Sequence, residues 1–343
     1  MTPAPAFPYP PMEARVSGDL PPGGGWQFEP KWDGFRCLAF RDGQTVRLQS
    51  KSGQPLERYF PEVVERLRAF KTASFIVDGE LVVPDPAGKG ALSFDDLLQR
   101  IHPAASRVKK LALEMPAALV VFDLLKDGKA VIVDRPLAER RMRLEKFLGK
   151  EKVDGVFLSP ATRDRAEAKR WLTGAGGGLD GVVAKLIDAP YMSGSRDGMI
   201  KVKQRRTADC VVGGFRYATG KKVVGSLLLG LYDDHGLLHH VGFTSSFKAS
   251  DKEALTTKVE AIQGGKGFSG RAPGGPSRWS TERSSEWVPL DPALVVEVEF
   301  DHFSQRRFRH GTKFVRWRPD KAPKQCTMDQ VAQKKANLMK LLG

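Results

Sequence analysis

The sequence predicts an α+β domain of antiparallel sheets and helices followed by a smaller, barrel-like β domain, and three observations carry that prediction. Its 343 residues exceed one compact module and fall short of three. From Trp26 to about Lys203, short apolar or alternating runs interleave with helical stretches without a strict strand–helix–strand rhythm. After Arg205 the texture turns to strands alone. The expected divisions are an extended arm over residues 1–25, a domain over 26–204 and a second domain over 205–343.

The arm is dominated by Pro, Gly and Ala and has no apolar period, so it reads as an extended lead into the first strand. Strands are predicted over 37–40, 45–48, 75–83, 118–124 and 181–186. A helix over 61–70 has Pro61 in its first turn and Val63, Val64, Leu67 and Phe70 as its apolar positions. A second over 93–101 opens with Ser93 as cap and Asp95 and Asp96 in the first turn, where the helix dipole favours acid. A third covers 134–148, with basic residues along its exposed side. In the second domain, strands are predicted over 208–216, 225–232, 237–243 and 295–300, with a hairpin turn at Asp233-Asp234-His235-Gly236.

Hydrophobic residues make up 41% of the chain, enough for real cores. No run approaches the roughly 18 apolar residues of a membrane span, and the first thirty residues lack the apolar core of a secretory signal, so the expected place is the cytosol. Lys and Arg number 55 against 40 Asp and Glu, a net charge of +15 that suits a polyanionic partner, nucleic acid first. Cys37, Cys210 and Cys326 lie too far apart for a zinc motif or a disulfide framework and are expected as reduced, partly buried thiols. No repeat of 20 to 50 residues is visible, which excludes solenoids and propellers.

Four segments place chemistry on strands. In Glu29-Pro30-Lys31-Trp32-Asp33-Gly34-Phe35-Arg36, a period of two puts Glu29, Lys31 and Asp33 on one face, and Gly34 permits close approach of backbone to a ligand. In Val77-Asp78-Gly79-Glu80-Leu81-Val82, Asp78 and Glu80 share a face of an otherwise apolar strand, so a metal or a lysine must meet them. Leu179-Asp180-Gly181-Val182-Val183-Ala184-Lys185 is the third. In the fourth, Met199-Ile200-Lys201-Val202-Lys203, both lysines face away from Ile200 and Val202 and want anions. Each segment alone also reads as a half-exposed strand with its polar side in water. Their matching parity, with Asp-Gly in three of the four, argues for one shared site.

The run KWDGFR at 31–36 resembles motif I of the covalent nucleotidyltransferases, and VDGEL (77–81), VFDLL (121–125), DGVVAK (180–185) and MIKVK (199–203) follow in the order of that superfamily's later motifs. FVRWRPDK at 314–321 resembles the closing Arg-x-Asp-Lys motif of ATP-dependent DNA ligases. The likeness runs from about Trp26 to Thr327 and is strongest to the minimal bacterial LigC-type group, in wording such as QSKSGQPLERYFPE and RHGTKFVRWRPDKAP. It implies a nucleotidyltransferase (adenylation) domain followed by an oligonucleotide-binding (OB-fold) β-barrel domain. It further implies an ATP- and Mg²⁺-dependent ligase that seals nicks in double-stranded DNA through lysyl-AMP, as a monomer at the bacterial nucleoid. The absence of room for accessory modules in this length points, by analogy, to repair.

Under this resemblance Lys31 attacks the α-phosphate of ATP, which requires its amine to be unprotonated; a desolvated pocket, neighbouring cations such as Lys201 and Lys203, and Mg²⁺ favour that form. Lys201 contacts the α-phosphate, Arg36 and Glu80 hold the ribose side, Phe122 stacks on adenine, and Lys185 and Arg196 add phosphate contacts. Glu29, Lys51, Lys203, Arg318 and Lys321 complete the nucleotide-binding set, and Glu80 and Asp180 would approach the metal. Two positions depart from the family pattern. Lys51 stands where ligases usually carry arginine and loses the planar bidentate grip, and Asp180 stands where many members have glutamate, one methylene shorter in reach.

The expected DNA contacts are Arg306, Arg307, Arg309, Lys313 and Arg316, part of a basic tract that continues through Arg318, Lys321 and Lys324. Phe303, Phe308, Phe314 and Trp317 interleave with it and only Asp320 offsets it, so it reads as a phosphate-tracking surface. The resemblance also lets Arg318 and Lys321 face ATP in the first step, with the OB domain swinging about residues 204–207, and one sequence leaves the tract undivided between the two tasks. The glycine run at 174–178 lacks the ending of a phosphate loop and reads as a turn. His235, His239 and His240 lack zinc spacing, and Trp279 and Trp287 sit in a long loop as core anchors or DNA contacts. An RNA ligase, a capping guanylyltransferase and a catalytically silent OB-type binding protein are the rival readings.

Overall fold

The computed structural model describes residues 4–85, 91–174, 179–204, 206–274, 286–332 and 337–342. It divides into two compact units, Met1–Gln204 with Lys334–Gly343, and Arg205–Gln333. The tail thus differs from the expected boundary: Leu338 is buried with Trp32, Val82 and Val120, and belongs to the first unit's core.

In chain order the first unit holds β1 (Arg15–Ser17), β2 (Trp26–Trp32), β3 (Phe35–Asp42), β4 (Thr45–Ser50), α1 (Pro61–Arg68) and β5 (Ser74–Val82). Then come α2 (Phe94–Gln99), α3 (Ala105–Glu114), β6 (Ala118–Asp127), β7 (Ala130–Val131), α4 (Leu137–Glu151), β8 (Val156–Leu158), α5 (Arg165–Gly174), β9 (Leu179–Leu186) and β10 (Met199–Lys203). They build two sheets, one ordered β1-β10-β9-β2 and one ordered β4-β3-β5-β6-β7 with β8 alongside β6. Pairing is antiparallel except for β1 on β10 and β8 on β6. The arm is therefore not only extended: Val16 of β1 pairs with Lys201, one strand from the lysine-bearing β9–β2 pair.

Helix boundaries follow local chemistry. Ser93 caps α2 by accepting from the Asp96 amide. Helix α4 begins three residues later than expected because Pro136 holds its predecessor out of the helical region and itself sits at the N-cap. Helix α1 buries Val63, Val64 and Leu67 under the second sheet, beside a cluster in which Phe70, Phe75 and Phe147 make mutual ring contacts. Helix α5 packs Ala168 and Trp171 on Phe28, Val182 and Val202 of the first sheet. Those contacts fix which face of β2, β9 and β10 is apolar, and so which face is left for chemistry.

The basic residues of α4 are not all on its exposed side. Arg140 is 2% exposed and donates from Nε and Nη2 to the two oxygens of Asp123, at 2.8 and 3.0 Å. Burial raises the Asp123 carboxyl, and Arg140 outweighs that and leaves it lowered. Its contribution to stability is thus full above the unfolded carboxylate range near about 4 and fades on acidification below it. Removing one partner of such a pair leaves a buried charge, so Asp123→Ala is expected to lower stability by about 3–5 kcal/mol in denaturant unfolding near neutral pH. A loss below about 1 kcal/mol would contradict the pairing.

The second unit comprises β11 (Arg206–Tyr217), β12 (Val224–Tyr232), β13 (Leu238–Thr244), α6 (Lys252–Glu260), β14 (Val288–Pro289), β15 (Val295–Phe300), β16 (Phe303–Ser304), β17 (Arg307–Phe308) and β18 (Lys313–Trp317). Its main sheet runs β13-β12-β11-β15-β18, with β14 on β11, and four register shifts interrupt three of its pairings. Among the described residues the sheet does not close into the full barrel the resemblance implied. Apolar residues of β11, β12 and β15 form one core with Leu255 and Val259 of α6. Cys37, Cys210 and Cys326 are all free and buried. Among the described residues no helix is long and apolar enough to cross a membrane.

Candidate active site

Side chains from both sheets of the first unit line a cavity of about 780 Å³, within the size range of small-ligand sites. Glu29 and Lys31 come from β2, Arg36 from β3, Glu80 from β5, Phe122 from β6, Lys185 from β9 and Lys201 from β10. Lys51 follows β4, and Met12 and Glu13 come from the arm. Four segments distant in sequence therefore converge as their matching parity predicted.

Parity does not carry every one of these residues to the cavity. The register of β2 on β9 shifts between Lys31 and Trp32, and Asp33 falls beyond the shift and outside the cavity lining. Gly34 lines the cavity, and a Cβ there would collide with the carbonyl oxygen of Leu81, so the glycine also permits close approach to β5. Gly181, at φ +138°, lies opposite both Lys31 and Lys203, and a Cβ would strike the carbonyl of Val202.

Beside this glycine, Lys31 Nζ lies 2.6 Å from Asp180 Oδ2, and Lys203 Nζ 3.4 Å from Asp180 Oδ1. Asp180 and Lys203 do not line the cavity; they brace the lysine that does. Lys201 is lowered by burial and by the charges of Lys31, Lys51 and Lys203, so cations crowd this wall.

A second group surrounds Phe122. Where β5 pairs with β6 the register jumps, Asp78 facing Asp123 and Gly79 facing Val121, which leaves Phe122 as the extra residue of a bulge. Its ring carries Lys185 Nζ at 4.4 Å and the Arg36 guanidinium at 4.8 Å. Lys185, expected among the phosphate contacts, has its ammonium 2.8 Å from Glu29 Oε2, and Gln27 donates to Glu29 Oε1. The base-stacking candidate is thus framed by a buried, internally neutralised pair.

Arg36 donates from Nε and Nη2 to both oxygens of Asp78 at 2.6 Å, and from Nη2 to the Met12 carbonyl. The Tyr191 hydroxyl donates to Asp78 Oδ2 and accepts from the Met12 amide. The acid of β5 is therefore met by an arginine and a tyrosine, not by a metal or a lysine. Glu80, its partner on that face, lines the cavity instead, and burial pushes it up to about 7 against the pull of Lys31 and Arg36. The folded state then holds this proton more tightly than the unfolded chain, so stability is lost as pH rises from about 4.5 to about 7. Glu80→Gln is expected to raise the melting temperature near pH 8 and to leave it unchanged near pH 4; an equal difference at both would contradict this.

Lys51 and Arg196 both meet Glu13, at 3.0 and 3.6 Å, and the Lys51 hydrogen bond lowers that carboxyl. Arg196 is outside the cavity lining. Tyr191, Asp123 and Glu13 were missed from the sequence. Asp123 had a signal, an acid inside the apolar run VFDLL, whereas nothing marked Glu13 in a Pro- and Gly-rich arm.

In the second unit the tract divides. Arg306 and Arg307 are exposed on the β16–β17 hairpin, Lys313 is exposed at the start of β18, and Arg309 is half-buried. Arg316 pairs with Glu297 at 2.7 Å, and Arg318 and Lys321 pair with Asp209, so Asp320 is not the tract's only offset. The aromatics are largely structural: Phe308 packs on Phe300 and Phe303, and Phe314 on Phe247 and Trp317. Trp287 anchors on Phe268, while Trp279 and residues 175–178 lie outside the described residues. His239 pairs with Asp233 and His240 packs edge-on to Phe268, and no metal-binding cluster occurs among the described residues.

The cavity thus combines a lysine amine paired with a carboxylate, further cations and the ring of Phe122. Residues 20–203 match the family model described as ATP dependent DNA ligase domain, and residues 220–321 the one described as ATP dependent DNA ligase C terminal region. The chain belongs to the ATP-dependent DNA ligase family. It is 43% identical over 332 residues to DNA ligase C1 of Mycolicibacterium smegmatis and 40% identical over 341 residues to DNA ligase C of Mycobacterium tuberculosis, covering 94% of each chain in both cases. A solved Lig E DNA ligase shares the fold, with a TM-score of 0.55 at 16% identity over 90% of this chain and 98% of that one.

Proposed function

We propose that this ligase seals nicks in duplex DNA in the bacterial cytoplasm, acting as a monomer in repair, with Lys31 as the residue that carries AMP. The observation that supports this best is the cavity of the first unit, which gathers Lys31, Lys51, Lys201 and Arg36 together with Phe122. A triphosphate needs the cations and a purine needs the ring.

In this reading the Lys31 amine, once deprotonated, attacks the α-phosphorus of ATP; a P–N bond forms, the α–β P–O bond breaks and pyrophosphate leaves. A 5′-phosphate oxygen of the nick then takes the adenylate and returns the electron pair to Lys31. Finally the 3′-hydroxyl attacks that 5′-phosphorus, loses its proton and expels AMP. All three steps are in-line phosphoryl transfers in which positioning and charge neutralisation dominate. Asp180 and Lys203 orient the amine, Arg36 and Phe122 hold the nucleoside, and Lys51 and Lys201 take phosphate charge. Glu80 on the cavity wall, and Asp180 beside it outside the lining and paired with Lys31 and Lys203, are oxygen donors of the kind Mg²⁺ takes, and they would hold it only together with water and phosphate. Bound there, it would supply charge neutralisation on the departing phosphates. In the second unit, exposed Arg306, Arg307 and Lys313 with half-buried Arg309 favour DNA phosphates.

Sealing of nicked DNA with ATP and with NAD⁺ in parallel, and of nicked RNA with ATP, tests the assignment. Sealing of DNA with ATP alone is expected. Preference for nicked RNA, or labelling by GTP in place of ATP, would overturn it.

A further inference from the structure

We infer that Asp209 is a positioning residue for the first step: it holds Arg318 and Lys321 together in the arrangement in which they act on the triphosphate. This rests on the reading that these two cations of the closing motif serve transfer of AMP to the chain.

Asp209 lies in β11 between Ala208 and Cys210, both of which point into the core. It faces the other way and is still only 8% exposed, and a carboxylate so placed is costly unless cations meet it. Arg318 Nη1 donates to its two oxygens at 2.8 and 3.0 Å, and Lys321 Nζ lies 3.0 Å from Oδ2. Its backbone is fixed as well: the Asp209 amide donates to Gln330 Oε1 at 3.0 Å, and Gln330 Nε2 donates to the Asp209 carbonyl at 3.2 Å.

Asp320 also accepts from Arg318, through Nε and Nη2, but it is 61% exposed side-chain to solvent, and no ion pair joins it to Lys321. Asp209 is the carboxylate that touches both cations. Across the sheet it pairs in register with Glu297, which pairs with Arg316. Three carboxylates thus face three cations, Arg316, Arg318 and Lys321. Without Asp209, Arg318 and Lys321 would repel each other and lose a common anchor. With it, the guanidinium plane is set from both sides, Nη1 on Asp209 and Nε and Nη2 on Asp320.

The test separates the steps. Single-turnover transfer of label from α-labelled ATP to the chain reads the first, and sealing of a pre-adenylylated nick reads the last. Asp209→Asn keeps the shape and removes the charge. It is expected to slow transfer to the chain about ten- to hundredfold, the loss typical of a charge-assisted hydrogen bond, with sealing of the pre-adenylylated nick changed less than about threefold. In an Arg318→Ala, Lys321→Ala background the same change should add nothing further. Gln330→Ala, which leaves the carboxylate and removes its backbone anchor, should give the same selectivity at smaller amplitude. Equal slowing of both steps, or full additivity with the double variant, would overturn the inference and mark Asp209 as structural. If Arg318→Ala and Lys321→Ala themselves leave transfer to the chain unchanged, the underlying reading of the closing motif fails; if they slow it and Asp209→Asn does not, only the role of Asp209 fails.

Discussion

Lys31→Ala is expected to abolish labelling of the chain by α-labelled ATP and, with it, sealing of nicked DNA, while a pre-adenylylated nick is still joined. The split follows from the chemistry, because the lysine carries adenylate in the first two steps and is not a reactant in the third. The fold should survive the change. Lys31 is a quarter exposed, and Lys203 remains beside Asp180 to offset the carboxylate that Lys31 leaves behind. Loss of label with unchanged far-UV and thermal profiles is the predicted result. Label retained by the alanine variant would refute the nucleophile.

Asp78→Ala should have the largest effect on the architecture of the site. The Asp78 side chain is fully buried, accepts from both Arg36 donors and from Tyr191, and through them fixes Met12 of the arm. Removing the carboxylate strands a guanidinium and leaves the Tyr191 hydroxyl without its acceptor, so a stability loss of about 3–5 kcal/mol is expected in denaturant unfolding. Nucleotide transfer should fall with it, since Arg36 lies over Phe122 only while Asp78 holds it. Asp78→Asn, which keeps the shape and two potential contacts, should lose less. A loss below about 1 kcal/mol for the alanine variant would mean that Arg36 finds another partner.

Much of this was legible because strand parity is local. Glu29, Lys31, Glu80, Lys185 and Lys201 could be placed on polar faces from neighbours two residues away, and the structure brings all of them to one cavity. What parity could not supply is the identity of partners brought by topology. The acid that meets Arg36 lies 42 residues away, and the tyrosine on that acid another 113. Local backbone irregularities were equally hidden: one register shift removes Asp33 from the site and another leaves Phe122 unpaired in β6. Glu13 and β1 escaped because a Pro- and Gly-rich arm has no period to read, and it becomes ordered by pairing with β10. In the second unit, sequence showed the basic tract but not that Asp209 and Glu297, on strands about a hundred and about twenty residues earlier, would neutralise part of it.

Peptide mapping of the chain after brief incubation with ATP and Mg²⁺, followed by a chase with nicked DNA, probes the covalent step most directly. AMP should be found on the peptide that contains Lys31, attached at that residue, and should disappear as the nick is closed. AMP on any other side chain, or on Lys31 but not discharged by DNA, would contradict the account.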